Sequence, residues 1–195
     1  MSAEMPFKLL NQWIAEEKDA GAPNPQHAVL ATASLKAVPN SRVIAIREIS
    51  AHDLVFFTQK GTRKVSELTD NPQASLTFWF ELLQREVMLE GQVKLLSEVE
   101  TSDYWLSYPH SAQLRFAAYA PTSMQVISSK QILEDKKIAI ETEYMNKKLP
   151  LNPYYCGFRF LPKRFVFYAF RLDELSDVNE YYLNDYQWNM RVLSP

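Results

Sequence analysis

The stretch Leu54-Val55-Phe56-Phe57-Thr58-Gln59-Lys60-Gly61-Thr62-Arg63-Lys64 changes period in the middle, and that change sets the fold class and the place to look for function. An apolar, strand-type run ends at Thr58, and Gly61 supplies a tight turn. A helix then begins with Thr62 as its cap and runs to Thr69, before Asn71-Pro72 stops it. A helix start directs free backbone N–H groups at whatever lies above the turn, which is the outline of an anion site. Arg63 and Lys64 stand in the first turn, where the helix dipole is already positive, at a cost of about 0.3–1 kcal/mol each that a bound phosphate reverses. The alternative reading is a patch of solvated surface charge beside a turn.

Upstream, Ser41-Arg42-Val43-Ile44-Ala45-Ile46-Arg47 opens a strand that continues to Ile49. Its two arginines are five residues apart, so they fall on opposite faces of a regular strand and reach one ligand only along the strand end or across a bulge. Further strands are expected at His27–Ser34, Ala74–Phe80, Arg85–Leu96, Tyr154–Phe160, Arg164–Arg171 and Tyr186–Leu193, separated by turn residues such as Val38-Pro39-Asn40. An amphipathic helix over Phe7–Asp19 precedes them, stopped by Gly21, Pro23 and Pro25. Between the two groups of strands lie helices from Ser97, with Glu100 at the capping-box spacing, towards Tyr108, then at Ser111–Tyr119 and Ser129–Asn146. Strands, then helices, then strands, without regular βα alternation, predict an α+β protein with an antiparallel, barrel-like sheet. We expect one domain over residues 1–195, with an N-terminal helix in 1–22 and the barrel, its helical insertions and its C-terminal strands in 23–195.

Composition narrows the function classes. A net charge of -2 lacks the strongly basic surface of a non-specific nucleic-acid binder, so no nucleic acid is expected as a partner. Cys156 is the only cysteine, which rules out an intrachain disulfide and suits a buried, inert thiol. Met-Ser-Ala-Glu-Met-Pro lacks the character of a signal peptide and no apolar run is long enough for a membrane span, so a cytoplasmic location without membrane attachment is the expectation. With only Gly21, Gly61, Gly91 and Gly157, neither the dinucleotide fingerprint nor the P-loop can be written. His27, His52 and His110 have no metal-ligand spacing, and no nucleophile elbow or Ser-His-Asp neighbourhood is present.

The succession Ser41-Arg42-Val43-Ile44, Val55-Phe56-Phe57-Thr58, Gly61-Thr62-Arg63-Lys64, Asn71-Pro72, Arg85-Glu86-Val87-Met88, Gly157-Phe158-Arg159 and Leu193-Ser194-Pro195 resembles the pyridoxamine 5′-phosphate oxidase family, over nearly the whole chain from about His27. The resemblance implies a split barrel that works as a homodimer, with flavin mononucleotide (FMN) in clefts at the subunit interface. It assigns Arg42, Arg63 and Lys64 to the FMN phosphate, with Thr62 at the helix start between them. Val43, Ile44, Phe57 and Thr58 then contact the flavin, and Thr122 and Ser123 reach it from the second subunit. Tyr168 takes the place of an aromatic against the flavin, or is simply a barrel aromatic.

The same resemblance marks departures. The family's substrate-phosphate lysine, tyrosine, arginine and serine fall on Arg47, Tyr104, Tyr108 and Ala112. A hydrogen bond to a charged group is worth about 1.5–3 kcal/mol, so the last two changes weaken a phosphate clamp by a few orders of magnitude. Glu86 replaces a glutamine that touches the isoalloxazine, and Pro121 occupies the place of a second glutamine. The family's C-terminal basic residues align with Glu174-Leu175-Ser176-Asp177-Val178, with Arg171 as a candidate substitute. Three readings follow. The first is an FMN-dependent oxidoreductase acting on a small molecule, with Arg47, Tyr104 and Tyr108 as pocket residues and Arg47 and Glu86 counted among the cofactor contacts. The second is a genuine pyridoxine/pyridoxamine 5′-phosphate oxidase, and the third a flavin-binding or storage module without turnover.

Overall fold

The computed structural model describes residues 5–145 and 147–195. In chain order the elements are α1 (Met5–Asp19), β1 (His27–Ala33), β2 (Pro39–Ile49), β3 (Leu54–Gln59), α2 (Arg63–Asp70), β4 (Gln73–Phe80), β5 (Arg85–Leu95), α3 (Glu98–Ser107), α4 (His110–Tyr119), α5 (Gln131–Glu143), β6 (Tyr155–Ala169), β7 (Asp177–Asn184) and β8 (Gln187–Val192). The strands lie in the order β3-β2-β1-β4-β5-β6-β7-β8, and β3 also pairs with β6. Six strands therefore close into an antiparallel barrel, and β7 and β8 extend it, giving the α+β split barrel that the sequence predicts. Two compact units make up the chain: Met1–Phe56 with Glu67–Lys94 and Phe158–Pro195, and Phe57–Ser66 with Leu95–Gly157.

In the first unit the period-two pattern sorts side chains between core and outer face. Ala28 and Leu30 of β1, Ile44 and Ile46 of β2, Leu76 and Phe78 of β4, and Val87 and Leu89 of β5 point inward and are buried. α1 packs Phe7 edge-on against Phe165 and Trp13 against Phe80 and Phe167. Its buried Glu17 accepts the N–H groups of Leu82 and Leu83, at 3.0 and 3.1 Å, and so fixes the β4–β5 turn.

Two features differ from the sequence expectation. The strands expected at 154–160 and 164–171 are one 15-residue strand, β6, which runs straight through Pro162. Gly91 of β5 makes this possible, because a Cβ there would lie 2.3 Å from the Leu161 carbonyl oxygen and 2.7 Å from Pro162 Cα. Gly91→Ala is expected to force the two backbones apart and destabilise the protein by about 1–3 kcal/mol, read from its urea midpoint. An unchanged midpoint would mean that the strands separate freely at this point. The second difference is β7, Asp177–Asn184, where the sequence analysis expects no strand. Its inward position is filled by Glu180, only 2% exposed, whose carboxylate is held by Arg191 and, at 2.5 Å, by Arg164. Those hydrogen bonds, Arg191's first, keep the carboxyl below its usual range, and an ion-paired core position hides the strand's alternation.

The second unit is built on an aromatic cluster. Trp105, Leu114, Phe116, Ala117, Ala120, Leu149 and Tyr155 are buried together, with Phe57, Ile140 and Tyr144 packed against them. α3 begins with the expected capping box: the Ser97 hydroxyl accepts the Glu100 N–H at 3.2 Å, and the Glu100 carboxylate accepts the Ser97 N–H at 2.9 Å. The end expected for the last helix, Asn146, lies outside the described residues.

Candidate functional site

Within the second unit, the end of β3 and the start of α2 form a basic pocket edge. The Thr62 hydroxyl donates to the Gln59 carbonyl at 2.9 Å, and the Thr62 carbonyl accepts the N–H groups of Val65 and Ser66, which opens the helix. Lys64 Nζ reaches back to Thr58 Oγ1 at 3.0 Å, so its ammonium is held against the strand end. No acidic residue stands in the first turn beside Arg63 and Lys64. Three cations (Lys60, Arg63 and Lys64), the buried Thr58 and Thr62 and the helix N-terminus therefore lie within seven residues, a combination suited to a small anion such as a phosphate group.

Gln59, between these groups, carries a role that the sequence does not advertise. Its side chain is 2% exposed; Nε2 donates to the Pro121 carbonyl at 2.6 Å and Oε1 accepts the Ser123 N–H at 3.1 Å. The segment bearing Thr122 and Ser123 is thereby fixed to the end of β3. No motif marks a glutamine whose partners lie 62 and 64 residues on, so only the structure reveals it. Beyond this clamp, Met124 and Val126 are almost fully exposed.

The aromatic residues of this unit form a wall. Phe57 stacks on Tyr155, with centroids 4.9 Å apart and planes 4° apart, and meets Tyr104 at 5.0 Å. Tyr108 lies 6.1 Å from Tyr155 and lines a pocket of about 350 Å³ with His110, Gln113, Lys147 and Lys148. Ala112 is buried in α4 and offers nothing to an anion. Burial pushes the Cys156 thiol up to about 11, which keeps it protonated and unreactive.

In the first unit, Arg42 and Ile44 share the inward face of β2, while Val43 points out. The Arg42 guanidinium donates to Thr32 Oγ1 at 2.7 Å and lies 3.5 Å from the buried Glu67 carboxylate, so it is held in one orientation. Ile44 is a core side chain, which leaves only its backbone for a ligand. The register of β2 against β3 shifts between Ile46 and Glu48, placing an irregularity at Arg47 that breaks strict alternation. Glu86 pairs with Trp79 across β4 and β5, and burial raises its carboxyl above the usual range. Tyr168 packs on Phe170 at 4.3 Å, and Phe170 meets Trp79 edge-on at 5.5 Å. Arg171 is ion-paired with Asp177 at 2.9 Å and approaches Glu174 at 3.7 Å. Among the described residues no cluster of three or more His, Cys, Asp or Glu side chains is placed to hold a metal, and no helix is long and apolar enough to cross a membrane.

Comparison with known proteins places this geometry among relatives. A family model described as pyridoxamine 5′-phosphate oxidase matches residues 14–144. A pyridoxine/pyridoxamine 5′-phosphate oxidase of Trichormus variabilis is 32% identical over 191 residues, covering 97% of this chain and 88% of that protein. Among solved structures, PhzG from Burkholderia lata 383, in complex with tetrahydrophenazine-1-carboxylic acid, superposes with a TM-score of 0.86 at 26% identity, covering 97% of this chain and 92% of that one. A pyridoxamine 5′-phosphate oxidase-related, FMN binding protein from Nostoc punctiforme has the same fold, with a TM-score of 0.79 at 16% identity and 96% of each chain covered.

Proposed function

The chain belongs to the pyridoxamine 5′-phosphate oxidase family, and from that premise we propose that it is an FMN-dependent oxidoreductase whose small-molecule substrate is not gripped by a phosphate group. Its cofactor is FMN. The start of α2 carries this reading: a lysine held against the strand end, an adjacent arginine, no acid in the first turn and the positive end of the helix dipole fit the FMN phosphate. Arg63 and Lys64 take phosphate oxygens, and Arg42 is the third cation assigned to it by family membership. Val43, Phe57 and Thr58 line the flavin with side chains, Ile44 with its backbone, and Tyr168 lies against the ring. Thr122 and Ser123 serve the cofactor of the second subunit in a homodimer. The dimer is supported by the exposure of Met124 and Val126, and by an outward row of Val43, Val29, Thr77 and Met88 that a second copy would cover. Held by these residues, FMN would supply hydride-transfer redox chemistry between the small-molecule substrate and oxygen or another acceptor.

The substrate reading rests on Tyr108 and Ala112. A phenol on an aromatic wall and a buried methyl replace the groups of a phosphate clamp, while His110, Lys147 and Lys148 beside Tyr108 suit a carboxylate. The ring carboxylic acid bound by the PhzG structure is of that chemical kind. The competing reading, a genuine vitamin B6 phosphate oxidase, is favoured by the names of the 32% identical relatives. Comparing kcat/KM for pyridoxine 5′-phosphate and for pyridoxine decides between them. Without a clamp the two values agree within about tenfold, whereas a preference for the phosphate of about a thousandfold or more would overturn this reading.

A further inference from the structure

The outer face of the first unit's sheet is largely apolar where four strands cross it. Val43 pairs with Val29, Val29 with Thr77 and Thr77 with Met88. In the next row Ala45 is opposite His27, and Trp79 is opposite Glu86. Glu86 is half-buried there, and among the described residues its carboxyl has neither an ion-pair nor a hydrogen-bond partner. The charged groups around it are engaged elsewhere. Arg85 turns to Glu16 of α1 and lies over the Trp13 ring, Glu81 accepts from the Trp79 indole, and Glu90 pairs with Arg164. His27 of β1 and Tyr168 of β6, which reaches Trp79 through Phe170, are titratable side chains on this side, and the exposed Arg47 lies two residues beyond Ala45 on β2, at the register shift. Burial alone raises the Glu86 carboxyl, with no cation to oppose it.

An amide at this position would offer a donor at any pH, but a carboxylate only accepts. We propose, resting on the flavin reading above, that Glu86 meets the flavin as a neutral carboxylic acid whose O–H donates to the ring, so that cofactor binding takes up a proton. The balance is simple: the Glu86 carboxylate, one proton and FMN give a complex in which the carboxyl is protonated, and nothing is oxidised. Below the carboxyl's pKa the proton is already present and affinity does not depend on it. Above that pKa the proton must be drawn from solvent, and affinity falls by up to about tenfold per pH unit.

FMN titrations of the wild-type protein and of Glu86→Gln from pH 4.5 to 8.5, read by flavin fluorescence, test this directly. Every other titrating group, the FMN phosphate included, is common to both proteins, so the ratio of their Kd values isolates Glu86. That ratio is expected to be flat in acid and then to climb, with the wild type weakening; a ratio constant across the range overturns the proposal. If neither protein binds FMN, the flavin reading fails and takes this one with it, whereas binding by both at a constant ratio defeats this one alone. A cofactor-free measurement adds a check. The raised carboxyl stabilises the fold only while neutral, so the apoprotein's Tm should fall below that of Glu86→Gln as pH rises through the raised pKa, and the two should converge in acid. An equal difference at every pH contradicts a titrating carboxyl.

Discussion

Replacing Arg63 and Lys64 together by alanine is expected to weaken FMN binding by about two to four orders of magnitude while leaving riboflavin binding nearly unchanged. Each side chain supplies a charge-assisted hydrogen bond of about 1.5–3 kcal/mol to the phosphate, and each tenfold in affinity is about 1.4 kcal/mol. Lys64 is already held 3.0 Å from Thr58, so little side-chain freedom remains to be lost when the anion arrives. In the free protein the same two cations oppose the helix dipole, and removing them relieves about 0.3–1 kcal/mol each. The double variant also gives up the Lys64–Thr58 hydrogen bond, so its urea midpoint is read beside its riboflavin affinity to separate lost binding from lost structure. An equal loss for FMN and riboflavin would move the contact away from the phosphate.

The largest stability effect is expected at Trp105. Its side chain is 1% exposed, edge-on to Tyr155 at 4.9 Å and to Phe116 at 5.8 Å, and its indole N–H donates to the Leu149 carbonyl at 3.1 Å. Trp105→Ala empties the centre of the second unit's cluster at a cost of about 3–5 kcal/mol, measured by urea unfolding. Tyr155 loses its support, and Phe57 stacks on Tyr155, so FMN affinity should fall as well. Trp105→Phe keeps much of the volume but leaves the Leu149 carbonyl without its donor, and should fall between the two. A cost below about 1 kcal/mol for the alanine variant would mean that the site closes over the gap.

Local patterns in the sequence make much of this architecture legible. Alternation locates β1, β2, β4 and β5 within a residue or two, because each buries one face more than the other, as with Val43 and Ile44, while β3, buried along its length, is read from its continuous apolar run. The β3 to α2 turn is readable because glycine, threonine and a misplaced basic pair fall in one short window. What stays hidden depends on partners distant in sequence. β7 is carried by Glu180 between Arg164 and Arg191, a polar core that erases the strand signal. The continuity of β6 through Pro162 depends on Gly91, which lies on another strand. The clamp of Gln59 on Pro121 and Ser123 leaves no local trace. For Arg42 and Arg47, periodicity supplies only a condition, a bulge, and the shift after Ile46 is a matter of three-dimensional pairing.

On this reading the start of α2 holds the phosphate of the cofactor. Titration of the apoprotein with FMN and, separately, with riboflavin, followed by flavin fluorescence, tests it most directly. Saturable binding of one FMN per chain is expected, with riboflavin weaker by about a hundredfold or more. A protein that binds neither flavin, or binds both equally well, would contradict it.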